Sequence, residues 1–417
     1  MRLPESPRAR LLAAAGGGVV LGMLAMLGIV AVWPEDEAGA PGARDVVATP
    51  SVPPAPAIPE IPEVPQPSES SLVTESETST PDDEGEEDEG DDEDDDEGEQ
   101  PDSAPLLPDA APAGEGPLPD SSPVRCPAPT TTVTSAEDLE QALAEAAPGD
   151  SIELGDGTYS GSFATTASGT EAAPIFLCGT AAAVIDGGDI EGDYALHLDG
   201  ASHWRLVGFT VSGGQKGVVA DGTEWSVIQG LTVSGTGDEA IHLRSHSTDN
   251  VVRDNTISDT GRRRDTYGEG VYLGSAVSNW CTYTDCEADR SDRNVVIANT
   301  IEATTAEAVD VKEGTTGGAV LDNTFDGSAL SGADSWVDLK GNNYLVRGNT
   351  GTQATEDGFQ THQILDGWGD FNVFTENHAD VQGPGAAISS WPPESNVVRC
   401  DNTFTDAGEG LSNITCS

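Results

Sequence analysis

Between Trp204 and Thr403 the chain alternates short apolar runs with bends rich in Asn, Gly and Asp. Self-similar segments start at Trp204, Ser226, Asn250, Asn294, Gly318, Tyr344, Phe371 and Asn396, at intervals of 22, 24, 44, 24, 26, 27 and 25 residues. Units of this length cannot bury an apolar face alone, so the period predicts a solenoid whose turns stack on one another. The runs are rich in Val and Thr and lack helical periodicity, which predicts strands rather than helical repeats. Several carry an apolar pair followed by Asn-Thr, as in NVVRDNTI at 250, NVVIANTI at 294 and GAVLDNTF at 318. Asparagine tolerates left-handed backbone angles and bonds its own kind in the next turn, so these sites predict stacked corners. The predicted fold class is all-β, a right-handed parallel β-helix.

A second strand recurs in each unit: ALHLDG at 195, GVVADG at 217, AIHLRS at 240, GVYLGS at 270, AVDVKE at 308, WVDLKG at 336 and GFQTHQ at 358. Side chains alternate along a strand, so the apolar second and fourth positions point inward and the third and fifth form outward columns. One column runs His197, Val219, His242, Tyr272, Asp310, Asp338, Gln360, and the next runs Asp199, Asp221, Arg244, Gly274, Lys312, Lys340, His362. A third, just before the strand, runs Glu239, Glu269, Glu307, Ser335, Asp357. Ahead of the repeats, Ser135 with Asp138 resembles a capping box, and Leu139, Ala142, Leu143 and Ala146 keep helical spacing up to Pro148-Gly149. This helix is expected to plug the first turn, where an open coil would expose strand edges.

The N-terminus adds three arginines and then an uncharged, largely apolar stretch from Leu11 to Trp33, the pattern of an export signal. Ala38-Gly39-Ala40 offers a cleavage site, while the apolar length also suffices for an uncleaved membrane anchor. Residues 41–125, rich in Pro and acids, read as a disordered spacer because they carry too little apolar surface to offset chain entropy. The expected organisation is a signal or anchor over 1–40, the spacer over 41–125 and the coil over 126–417. All six cysteines follow the signal, as expected of disulfides in an oxidising exterior. The pairs 281/286 and 400/416 are close in sequence, which leaves 126 with 178. A net charge of −55 excludes broad attraction to nucleic acid, so a polyanion is expected to bind only at a local cationic site. A secreted or cell-surface monomer is expected.

Because turns of a coil lie ~4.8 Å apart, Lys312 and Lys340 should be vertical neighbours above Asp310 and Asp338. The simplest reading is a solvated face on which the lysines neutralise the aspartates. Against it, Arg244, His242 and His362 flank the cluster, and the 44-residue interval inserts TGRRRDTYGEG beside it. Arg262, Arg263 and Arg264 are candidates to clamp a carboxylate or sulfate, unless they pair with Asp265 and Glu269. Trp280 and Trp368 are candidate platforms for sugar rings. Such a set suits β-elimination on a uronate, which needs a base at C5, a cation for the carboxylate and a proton donor for the C4 oxygen. Glu269, Glu307, Asp310 and Asp338 could hold calcium through oxygen ligands.

These turns resemble the chondroitinase B and alginate lyase type of polysaccharide lyase, within the pectin-lyase-like superfamily. There one turn carries a glutamate and a lysine five places later before an asparagine corner, the pattern of Glu307, Lys312 and NTF at 323. The resemblance implies that Lys312 is the base, that Glu307 is a calcium ligand and that the substrate is an anionic polysaccharide. Lys340 stands where the family presents an arginine, and Thr305 where it has a further acidic ligand. Two other functions are open to the same coil. A glycoside hydrolase would use Asp310 and Asp338, although stacked residues ~5 Å apart are too close for the inverting spacing. A non-catalytic cell-surface coil would bind glycan without turnover.

Overall fold

A computed structural model describes residues 116–417. The expected signal or anchor and most of the spacer lie outside the described residues. Among the described residues, no helix is long and apolar enough to cross a membrane.

Three parallel sheets of 11, 10 and 10 strands form the walls of the coil, and every pairing joins one turn to the next. The two predicted strands of each repeat fall on different walls, and a third short strand after each Asn corner supplies the last wall. The wall bearing the polar columns keeps the register read from the sequence: Val309 faces Val337, Asp310 faces Asp338 and Val311 faces Leu339. Val271, Val309, Val337 and Phe359 are fully buried, and they fill the lumen together with Trp204, Trp336 and Phe374. Each of these strands is only three residues long. Stability therefore comes from stacking between turns, and little of it can come from any one turn alone.

The Asn-Thr sites are the stacked corners expected, with one correction. The left-handed backbone is carried by the residue before each asparagine, at Asp254, Ala298, Asp322, Gly348 and Glu376. The asparagines themselves form a buried ladder, in which Asn255 donates from backbone and side chain to Asn299 Oδ1, Asn299 does the same to Asn323, and Asn323 to Asn349. Each side-chain amide also donates across the bend, as Asn323 does to the Val296 carbonyl at 3.0 Å. A corner carbonyl turned away from the sheets needs such a partner, because a buried unpaired one is costly.

The N-terminal helix spans Ala136–Glu145, capped by Ser135 accepting from the Asp138 amide. Its buried Leu139 and Leu143 join the lumen core. The disulfides are Cys126–Cys178, Cys281–Cys286 and Cys400–Cys416. At the end of the stretch expected to be spacer, Gln229 exchanges two hydrogen bonds with the Val124 backbone, at 2.8 and 2.9 Å, and Arg253 donates to the Ser121 carbonyl. Paired backbone groups hold these last residues to the coil, whereas composition reports only apolar content.

The long interval contains two excursions around the strand Val271–Leu273. The second returns through Asp289, whose buried carboxylate accepts from the Ser245 and His246 amides and from the Ser275 and Ser291 hydroxyls. The first crosses Thr305 so closely that a Cβ on Gly261 or Gly268 would lie within 2.0 Å of its hydroxyl oxygen, so neither glycine can be replaced without moving the backbone.

Candidate active site

Lys312 and Lys340 leave the same wall from consecutive turns, because each follows a register-matched strand. Their ammonium groups converge on Asp310: Lys312 Nζ lies 2.5 Å from Oδ2 and Lys340 Nζ 2.8 Å from Oδ1. Lys340 also lies 2.6 Å from Asp338 and 3.7 Å from Glu307. Asp338 in turn bonds His362 Nδ1 at 2.9 Å. The outward columns are not the solvated face that alternation alone would give. Asp310 is 1% exposed and Lys340 7%, since long charged side chains of neighbouring turns cover one another.

Burial at this density decides the protonation states. For Lys312 burial favours the neutral amine, but Asp310, then Glu307 and Glu269, outweigh it and hold the ammonium well above the usual lysine range. Lys340 is held charged in the same way by Asp310 and Asp338. Burial would lift Asp338, yet Lys340 and His362 keep it below the usual carboxylate range. Glu307 moves the other way: burial and Asp310 push it up to about 7. Glu269 is also raised well above its ordinary value, by burial and then by Glu239, Asp310 and Glu307. The hydrogen bond to Asp338 raises His362. With Glu269 and Glu307 protonated, two aspartates face two ammoniums and, when protonated, an imidazolium. The wall is therefore close to charge balance, and it turns cationic only when His362 is protonated.

Glu269, Glu307 and Asp310 each place one carboxylate oxygen within 4.8 Å of the other two. An oxygen-ligated cation at ~2.4 Å from each fits that spacing. Glu269 Oε2 is buried without a hydrogen-bond partner, an acceptor of the kind a hard cation would satisfy. Three of the four expected metal ligands thus come together, Asp310 while also bonding both lysines; the fourth, Asp338, bonds Lys340 and His362. Thr305 lies under the first excursion and outside the triad.

The remaining candidates are placed as follows. Arg244 makes a two-pronged ion pair with Asp221 at 2.7 and 3.1 Å and stacks on Tyr283, 4.1 Å from the ring centre. His242 Nε2 donates to the Gly274 carbonyl at 2.9 Å, and burial, then Lys216 and Arg244, keep the ring neutral. Arg263 and Arg264 both donate to the buried Asp238, not to Asp265 or Glu269; Arg263 also lies 3.7 Å from Glu191, and Arg264 stacks on Tyr267. Arg262 is half-exposed, 3.7 Å from Asp259. Trp280 packs over Gly314 and donates to the Ser275 carbonyl at 2.9 Å, a packing role and not an open platform. Trp368 is half-buried in the loop after His362.

Sequence reasoning gave no role to Tyr272. It sits in register beneath Asp310, edge-on to His242 at 4.3 Å, with Lys312 Nζ 4.9 Å from its ring centre. Burial, then Asp310 and Glu269, keep its hydroxyl protonated. Its place in the column was visible, but an aromatic residue in a coil reads as packing.

Replacing Glu307 by glutamine should flatten the pH dependence of stability. A carboxyl raised in the folded state binds its proton more tightly there, so its contribution is present at acid pH and is lost as pH rises from about 4.5 to about 7. The upper bound is about 3 kcal/mol. Glu269 and His362 share that sign and His242 opposes it, so the informative quantity is the difference between wild type and Glu307→Gln. Thermal unfolding from pH 5 to 8 should show a steeper loss in wild type, and calcium at pH 8 should restore melting temperature more in wild type. Parallel curves would refute the raised carboxyl.

The right handed beta helix region family matches residues 194–334. No curated protein sequence matches the chain. Among solved structures, the alginate lyase from Paenibacillus sp. str. FPU-7 is 32% identical over 69% of this chain and 100% of its own, with a TM-score of 0.64. Pectate lyase Pel9A is 12% identical over 69% of this chain and 78% of its own, with a TM-score of 0.48. The chain belongs to the right-handed parallel β-helix proteins of the pectin-lyase-like superfamily, in the family of that Paenibacillus alginate lyase.

Proposed function

We propose that this polysaccharide-lyase-like coil is exported and cleaves a uronate-containing polysaccharide, alginate first among candidates, by β-elimination. The observation that carries this reading is the pair of ammonium groups, Lys312 and Lys340, stacked on one wall over Asp310. The similarity to an alginate lyase, over 69% of this chain and the whole of that protein, supports it. In the reaction a base takes the C5 proton, the electron pair forms the C4–C5 double bond, the C4–O bond breaks and the leaving oxygen takes a proton. Removing a proton next to a carboxylate builds negative charge there, and Lys340 with His362 would offset it.

The base role that the resemblance gives Lys312 requires a neutral amine, and in this structure the amine is held charged. As an ammonium it is instead suited to donating a proton to the leaving oxygen, with the protonated Tyr272 beside it. To act as base it must first be freed from the field of Asp310, which Glu307 and Glu269 join once they ionise. A calcium ion on those three carboxylates would supply the positive charge that offsets them and favours the neutral amine.

Incubation with alginate, pectate and glycosaminoglycans, read by ultraviolet absorbance of the unsaturated product, tests the proposal. Alginate should yield unsaturated ends with calcium, and a chelator should shift the pH optimum upward or abolish activity. New reducing ends without unsaturation would indicate a hydrolase, which the stacking of Asp310 on Asp338 in adjacent turns disfavours for an inverting mechanism. Silence on the whole panel would favour the glycan-binding coil, a reading supported by the ion-locked state of Lys312.

A further inference from the structure

The column of Lys312, Lys340 and His362 continues one turn further. Thr361 is paired with Ser390, which places Trp391 in register with His362. Trp391 is 56% exposed, although an indole is among the largest apolar groups a chain can bury. Its backbone is nonetheless tightly held. The Trp391 amide donates to Thr361 Oγ1 at 2.9 Å, the Trp391 carbonyl accepts from that hydroxyl at 3.2 Å, and the next carbonyl, of Pro392, accepts from Ser390 Oγ at 3.1 Å and Asn396 Nδ2 at 3.0 Å. A floppy terminus or mobile loop would leave such an aromatic unanchored. An exposed indole thus stands on a firmly held stretch of backbone at the end of the column of Lys312, Lys340 and His362.

We infer that Trp391 is a distal sugar platform, stacking on a pyranose ring of the same anionic polysaccharide whose carboxylates face Lys312, Lys340 and His362. The inference rests on the functional reading above only in taking a uronate chain as the ligand of this wall. Turns are ~4.8 Å apart, close to the length of one sugar unit, so an extended chain along the column advances about one sugar per turn. Trp391 lies three turns beyond Lys312 and would meet a ring about three units away. The cations match carboxylates, whereas the indole face matches the C–H face of a ring. The platform therefore adds affinity only to chains long enough to reach it.

Calorimetric titration of saturated mannuronate trimer and hexamer, in a Lys312→Arg background that keeps the cation and slows cleavage, tests this. Trp391→Ala should weaken hexamer binding about tenfold and leave the trimer unchanged, and Trp391→Phe should recover most of the loss. Equal loss for both lengths, no loss for either, or no binding of either oligomer before Trp391 is changed would overturn the platform. Length-dependent loss in a protein whose wild type yields no unsaturated product would keep the platform and overturn the lyase. A wild type that cleaves alginate, with Trp391→Ala binding the hexamer normally, would do the reverse.

Discussion

Lys312→Ala is expected to lower alginate turnover by about 10²- to 10⁴-fold, the range for removing a positioned proton-transfer group. Alanine deletes the ammonium that contacts Asp310, but Lys340 still pairs that aspartate, so the coil should fold, as circular dichroism would verify. Lys312→Arg separates two roles. Arginine preserves the positive charge but does not give up its proton. If Lys312 transfers a proton, the arginine variant should fall as far as alanine. If Lys312 only offsets charge, arginine should retain much of the activity. Alanine activity within tenfold of wild type would remove Lys312 from the chemistry.

Asn323→Ala is expected to destabilise the coil by about 3 kcal/mol or more, because three buried groups lose a partner at a typical cost of about 1–3 kcal/mol each. The Asn299 amide and its side-chain amide both donate to Asn323 Oδ1, and the Val296 carbonyl accepts from Asn323 Nδ2. All lie at one corner between successive turns. A solenoid is held by contacts between neighbouring turns, so a fault there weakens coupling between the two halves. Urea unfolding should show a lower midpoint and could broaden into two transitions, while Thr324→Ser, at the exposed neighbour, should change stability by less than about 0.5 kcal/mol. An unchanged midpoint in Asn323→Ala would show that water replaces the ladder without loss.

Much of this protein could be read along the chain. The period in the twenties, the Asn-Thr corners and the alternation of AVDVKE and WVDLKG specified a coil and the register that stacks Lys312 on Lys340, since a one-residue slip would turn Val309 outward and Asp310 into the lumen. Two disulfides followed from proximity in sequence, and the third, Cys126–Cys178, was what remained. The gathering of Glu269, Glu307 and Asp310 was also accessible, because all three lie in columns fixed by that register.

Other features were not legible because they depend on groups distant in sequence. Asp238 captures Arg263 and Arg264 across 25 and 26 positions, and no local pattern marks it as their partner. Asp338 stands in the same column as Asp310, another expected calcium ligand, and its bonds to Lys340 and His362 form only once the turns close. The left-handed corner fell one residue before each asparagine, because the asparagine side chain is needed for the ladder. Most consequentially, sequence could not give the sign of the shift at Lys312, since burial and nearby carboxylates act in opposite directions. By itself the sequence determined the coil, its register and the identity of the residues on the polar wall, because strand alternation and repeat length are local properties. Only the tertiary structure decided which of those charges are matched and which acids retain protons, because the balance between desolvation and attraction is set by distances between turns.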